Sequence, residues 1–142
     1  MKVLSGNVHQ TQFDTIVLPT EIMDDFKDQA HFHLKEMWPS MYKDFRHYCK
    51  TRNPKLGDVW TWRGAGSKTY IHLLVSQNNR PASVHDYHSA FKQLKTELMT
   101  LNADQFALNL NDEKHLLLKL ETVSELLQNS MEELTEKIEI YQ

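Results

Sequence analysis

Hydrophobic positions along this chain follow two rhythms, and the points where one gives way to the other mark its elements. Met1 to Val8 alternates weakly until Gly6-Asn7 breaks it, and Phe13 to Leu18 (FDTIVL) is a compact apolar run that Pro19 is expected to end. Both read as strands. From Glu21 the spacing changes: Phe26, Ala30, Leu34, Met37 and Trp38 recur at steps of three and four, which predicts a helix with Thr20 as its cap and acids in its first turn. Pro39 interrupts that pattern. A second helical piece is predicted from about Ser40, with Met41, Phe45, Tyr48 and Cys49 on one face, until Asn53-Pro54 stops it.

The most ordered-looking stretch is Lys55 to Gln77 (KLGDVWTWRGAGSKTYIHLLVSQ), read as two strands and a turn. Val59 to Trp62 and Thr69 to Ser76 supply the strand formers, and the two glycines of the link Arg63 to Lys68 can take positive φ at no steric cost. Leu73, Leu74 and Val75 are apolar on both faces, so this strand belongs in the middle of a sheet with cover on each side. Asn78 to Ala82 is a polar loop. Ser83 to Asp86 fits a capping box, followed by Tyr87, Phe91, Leu94, Leu98 and Leu101 on one helical face. Phe106 to Leu110 (FALNL) is a short strand, buried apart from its polar Asn109. A helix with a face of Leu117, Leu120, Val123, Leu126, Leu127 and Met131 comes next, and Lys137 to Tyr141 (KIEIY) alternates as a final strand. This order, β-β-α-(α)-β-β-α-β-α-β, predicts an α/β fold, a three-layer α/β/α sandwich around a central mixed sheet of about six strands, formed as a single domain over residues 1–142.

Composition changes this picture little. The 142 residues carry 40% hydrophobic and 25% charged positions with a net charge of −3, ordinary for a soluble globular chain and no invitation to nucleic acid or a membrane. Most Lys and Arg precede Arg80 and most glutamates follow it, which reads as solvated helix faces. Cys49 is the only cysteine, so no internal disulfide is possible and a reducing cytoplasm is the expected home. The opening MKVLSGNVHQ has no apolar signal core, and no window approaches a membrane-spanning run.

Several short blocks taken together give the chain a likeness. VLSGNV stands where macrodomains have a strand ending in Gly-Asp, FDTIVLP and LGDVWTW match two further strands, and YIHLLVSQ matches a fourth. FALNL follows at the right distance, and ETVSELL with KIEIYQ fits the last helix and strand. In order and length the whole chain resembles macrodomains, and among them the terminal ADP-ribose glutamate hydrolase branch. The resemblance implies a macrodomain-like fold and an ancestral ADP-ribose pocket.

The same resemblance implies that the pocket has degenerated. The family's adenine-holding acid is here Asn7, which cannot accept two hydrogen bonds from an amino group and an N–H as a carboxylate does. The first Gly-rich loop falls on Thr20 to Ala30, which has no glycine and carries Asp24, Asp25 and Asp28, charges that repel a diphosphate. The second falls just after Leu110, where Asp112 and Lys114 stand near the positions of the family glycines. The catalytic Lys and Asp of the hydrolase branch align with Gln77 and Leu116. Tyr141 stands where the family often has an aromatic beside the adenine, and Gln77, Asn109 and Asn111 would project from C-terminal strand ends, the edge where open α/β sheets bind ligands. The ligand-binding candidates are therefore Asn7, Thr20, Gln77, Asn109, Asn111, Asp112 and Tyr141, with no catalytic residue, no metal and no cofactor. The implied function is a non-catalytic binding or regulatory module whose pocket is lost or reduced and takes ADP-ribose or a related nucleotide at most weakly. The alternatives are an ADP-ribose-binding protein or ADP-ribosyl hydrolase with rebuilt loops, and an assembly subunit without a small-molecule ligand.

Other chemistry is thinner. Among eight histidines only His85 and His88 have a spacing that could share a metal on a helix, and His31 and His33 would diverge. Gly64 to Thr69 resembles a phosphate loop superficially but leads into a strand, so no helix N-terminus meets the phosphate. Cys49 reads as a buried structural residue. Trp60 and Trp62 face one way along their strand and would offer a protein partner an aromatic patch unless a helix covers them.

Overall fold

The structure is a computed structural model, and it describes residues 1–111, 120–131 and 137–142. Among these residues a seven-stranded mixed sheet lies between two helical layers. The strands are β1 (Lys2–Leu4), β2 (Thr15–Glu21), β3 (Val59–Arg63), β4 (Thr69–Gln77), β5 (Arg80–Pro81), β6 (Phe106–Asn109) and β7 (Ile138–Tyr141). The helices are α1 (Gln29–Met37), α2 (Pro39–Arg52), α3 (Val84–Thr100) and α4 (Leu120–Ser130). In space the strand order is β1-β7-β6-β2-β4-β3, with β5 paired to β4. The strands from β1 across to β4 are mutually parallel, whereas β3 and β5 run antiparallel to β4.

The period of two sorts the strand side chains into two cores. Ile71, Leu73 and Val75 of β4, with Val17, Phe106, Leu108, Ile138 and Ile140, pack beneath α3 and α4. Tyr70 and Leu74, with Ile16, Leu18, Ala107 and Tyr141, pack beneath α1 and α2. Every residue of β4 except Gln77 is buried, as the two-faced apolar run predicted. The capping box also forms: Ser83 Oγ accepts from the Asp86 amide at 3.2 Å, and Asp86 Oδ2 accepts from the Ser83 amide at 3.1 Å.

Four expectations need correction. Pro19 does not end β2; it sits inside it, paired with Leu73. Beyond Val17 the strand has no rung to β6, so a free side exists where a missing N–H leaves no gap. Thr20 does not cap a helix, because it too lies in β2, and the N-cap of α1 is Asp28. Asn78 and Asn79 are no open loop: both take positive φ, as a two-residue hairpin turn requires, and join β4 to β5 through the pair Gln77 and Arg80. Of the link glycines only Gly66 has positive φ; Gly64 is needed for closeness, since a Cβ there would lie 2.7 Å from Cη2 of Trp62.

Trp60 and Trp62 do share a face, but α2 covers it. Trp60 packs on Phe45 and Tyr48, while Trp62 packs on Trp38 and donates from Nε1 to Asp44 at 2.9 Å, so the expected aromatic patch is occupied from within. Cys49 is buried, and burial pushes its thiol up. No helix among the described residues is long and apolar enough to cross a membrane.

Candidate functional site

Parallel strands put their C-terminal ends on one edge, and in open α/β sheets that edge holds the ligand crevice. Here β1 and β6 end beside the N-terminus of α1, and a cavity of about 350 Å3 opens between them. Gly6 and Asn7 line it from the turn after β1, Asn109 and Asn111 from the end of β6, and Asp28, Gln29 and Ala30 from the first turn of α1. Three of the sequence-predicted residues, Asn7, Asn109 and Asn111, thus meet in one place.

Each carboxamide is held by a bond to the backbone. Asn7 caps a short 3-10 turn, Val8–Gln10, its Oδ1 accepting from the His9 amide at 2.9 Å. Asn111 donates from Nδ2 to the Gly6 carbonyl at 2.6 Å, tying the ends of β1 and β6 together. Asn109, against expectation, is buried, at 1% exposure. Its Oδ1 accepts from the Asn111 amide at 3.3 Å, whereas its enclosed Nδ2 has no acceptor among the described residues.

The other candidates lie elsewhere. Thr20 is wholly buried beneath α1, with its hydroxyl 3.0 Å from Nε2 of His31 and 2.8 Å from Nδ1 of His72. Gln77 is exposed at the β4–β5 hairpin and does not line the cavity. Tyr141 is buried, and its hydroxyl lies 3.3 Å from Oε1 of Glu139. Asp112 lies outside the described residues, as do Lys114, Leu116 and Leu117.

The first turn of α1 carries the site's charge. Asp28 Oδ2 accepts from the His31 amide at 3.3 Å and from Nδ1 of its ring at 2.7 Å. Burial alone would raise the Asp28 carboxyl, but the hydrogen bond and charge of His31 outweigh it and hold the group below the usual carboxylate range. Beside it His9 donates from Nε2 to the Ala30 carbonyl at 3.0 Å and stacks on His33 with ring centroids 4.6 Å apart. Burial first, then the neighbouring His33, His31 and Lys68 charges, push His9 down to about 4. Deeper still, His72 is enclosed by Phe26, Phe45 and Trp60, and burial pushes it down to about 3.

Sequence reasoning missed Gly6, Gln29 and Ala30 as lining, and the buried pair His31 and His72. A signal existed for the helix start, because an Asp three residues before a His at the head of an apolar periodicity is itself a cap pattern. Asp24, Asp28 and His31 also bring ligand-capable atoms within 4.8 Å of one another. Each already serves the chain: Asp24 accepts from the Phe26 amide at 2.6 Å, and Asp28 and His31 bind each other. His85 and His88 are both exposed on α3.

No protein-family model and no curated protein matches the sequence. Solved structures do. The macrodomain of Mycobacterium tuberculosis DarG superposes with a TM-score of 0.86 at 17% identity, covering 99% of this chain and 95% of that one. The macrodomain of Thermus aquaticus DarG gives 0.79 at 17% identity over the same shares. Thermosipho africanus DarTG, solved in complex with ADP-ribose, gives 0.80 at 12% identity, covering 99% of this chain and 41% of that one. With the strand order, the two helical layers and the crevice at the parallel edge, these likenesses establish that the chain has the macrodomain fold.

Proposed function

We propose that this chain is a non-catalytic binding module of the cytoplasm that keeps the macrodomain crevice in reduced form. The observation that carries the reading is the crevice wall. It stands where an α/β sheet binds ligands, yet among the described residues its polar side chains are carboxamides and one carboxylate, beside Gly6 and Ala30, and its volume of about 350 Å3 is at the small end for a ligand site. A solved neighbour holds ADP-ribose, which makes that compound the reference ligand for this crevice. Asp28 stands at the head of α1 where a diphosphate would be drawn by the helix dipole, and Asn7 replaces the acid that the family resemblance assigns to adenine. The lysine assigned to catalysis is Gln77, exposed at a hairpin and outside the cavity lining.

Calorimetric titration of the full chain with ADP-ribose tests this, with no binding in the micromolar range as the expected result. A micromolar dissociation constant would overturn the claim of a reduced pocket. Hydrolysis of an ADP-ribosylated peptide that disappears in Asn7→Ala or Gln77→Ala would instead establish a hydrolase with rebuilt loops.

A further inference from the structure

We propose that the edge of the sheet opposite the crevice holds a separate ligand site, a polar cavity of about 240 Å3 that takes a small zwitterion of the amino-acid class, its carboxylate toward Arg63 and its ammonium toward Asp14. This site stands or falls independently of what the crevice binds.

The floor of the cavity is a row of three side chains on adjacent strands. Thr15 pairs with Thr69 across β2 and β4, and Thr69 pairs with Arg63 across β4 and β3. Residues two apart in a strand share a face, so Thr15 lies with Val17, and Thr69 with Ile71, on the side packed beneath α3 and α4. Arg63 lies on that side too, because Thr61, two residues before it, donates to Glu97 of α3 at 2.8 Å. All three line the cavity, as do Leu101, Asn102 and Ala103 at the C-terminal end of α3.

The polar groups of this row are unspent. Thr15 and Thr69 are each only 6% exposed, yet among the described residues neither hydroxyl has a hydrogen-bond partner. Buried hydroxyls are ordinarily bonded, and leaving one unanswered is costly. Unlike Nδ2 of Asn109, neither oxygen is sealed in, so both are open to the cavity that their residues line. Arg63 and Asp14 have no ion pair among the described residues. Their charged neighbours are engaged elsewhere: Lys68 donates to the Thr11 and Phe13 carbonyls at 3.2 and 2.6 Å, and Asp104 pairs with Lys137 at 3.0 Å.

The order of charge chooses the ligand. From β3 to β2 the row runs from a guanidinium through two hydroxyls to the Asp14 carboxylate, and the end of α3 above it is the negative end of a helix dipole. A guanidinium holds a carboxylate by two parallel N–H bonds, hydroxyls donate or accept as needed, and Asp14 with the helix end favours an ammonium. An anion alone would meet Asp14 and Asp104, and a cation alone would meet Arg63. A molecule with both signs, one at each end, is opposed by neither. The volume lies below the usual range for ligand pockets, which begins at about 300 Å3, so the occupant is small.

Amide shifts of the full chain, followed by nuclear magnetic resonance during titration with serine, ethanolamine and 3-hydroxypropionate, test the site. Ethanolamine lacks the carboxylate of serine, and 3-hydroxypropionate lacks its ammonium. Serine should move the amides of Asp14, Thr15, Arg63 and Thr69 and leave those of Gly6 and Asn111 in place, with each truncated compound weaker by about tenfold or more. Arg63→Gln should cost serine the same factor and leave ethanolamine unaffected. Thr15→Val combined with Thr69→Val should weaken serine without lowering the thermal midpoint, since valine suits a strand and the hydroxyls have no partner among the described residues. No shift with serine at about 10 mM, shifts confined to the crevice, or equal affinity for serine and either truncated compound overturns the proposal. Serine binding that is indifferent to both Arg63→Gln and the double valine variant overturns it as well.

Discussion

Thr20 and His72, 52 residues apart in sequence, meet inside the protein with the hydroxyl oxygen 2.8 Å from Nδ1 of the ring. The same hydroxyl lies 3.0 Å from Nε2 of His31 and 3.1 Å from the Leu18 carbonyl, so one oxygen answers two buried imidazoles. Because His31 is also bound to Asp28, a chain of contacts runs from the crevice wall down to the middle of the sheet.

Thr20→Val tests how much that oxygen matters. Valine keeps the shape of threonine and removes the hydroxyl, leaving Nε2 of His31 and Nδ1 of His72 buried without it. The expected loss is about 2–4 kcal/mol, because unanswered buried polar groups cost more than a bond is worth. Thr20→Ser keeps the hydroxyl and gives up a methyl, for about 1 kcal/mol. Urea midpoints decide the matter: if the valine variant is no less stable than the serine one, the hydroxyl carries no net stabilisation.

The local grammar of the chain was legible and its long-range polar contacts were not. The two-faced run of β4, the Ser83 and Asp86 box and the alternation in β7 are written within a few residues of themselves, and each formed as read. Thr20 looked like a cap because a threonine followed by acids resembles one locally. Its real partners are 11 and 52 residues away, and nothing near Thr20 names them. Pro19 misled for the same reason, since its place in β2 depends on which side of that strand lacks a neighbour. Of the candidate site, the asparagines at strand ends were found by the rule for parallel sheets. The burial of Asn109 was not, because a strand-end asparagine ordinarily starts a loop.

Gly64→Ala is expected to strain the β3–β4 link at one definite point. An added Cβ would stand 2.7 and 2.8 Å from Cη2 and Cζ3 of Trp62 and 3.0 Å from Cζ3 of Trp38. The two indoles are packed on each other with centroids 5.5 Å apart, so neither yields freely. The cost should be about 1–3 kcal/mol, typical of overpacking, with a change in tryptophan fluorescence. Gly66→Ala places its Cβ in open space and should leave the indole signal unchanged, whatever its backbone costs. Identical emission spectra for Gly64→Ala and the native chain would refute the clash.

The pH dependence of stability should be governed by two histidines. His9 and His72 are held at about 4 and about 3 in the folded chain, against 6.5 as the ordinary value. Between those limits the unfolded chain takes up protons that the folded chain refuses, so stability is intact above pH 6.5 and declines as pH falls toward 4 and then 3. Each histidine contributes a slope approaching about 1.4 kcal/mol per pH unit within its window. Asp28, held below its usual value of 3.8, adds stability above that pH and loses it only in stronger acid, beneath most of the histidine window. At the alkaline end burial raises Tyr48, Tyr70, Tyr87 and Tyr141, so phenol ionisation weakens the fold only above about pH 10, the ordinary tyrosine range. Urea midpoints should therefore be level between pH 7 and 9 and clearly lower at pH 5. His72→Gln, which removes the deeper of the two groups, should flatten the acid limb even if it lowers stability at every pH. Equal midpoints at pH 7 and pH 5 in the native chain would mean that neither ring is as desolvated as its surroundings indicate.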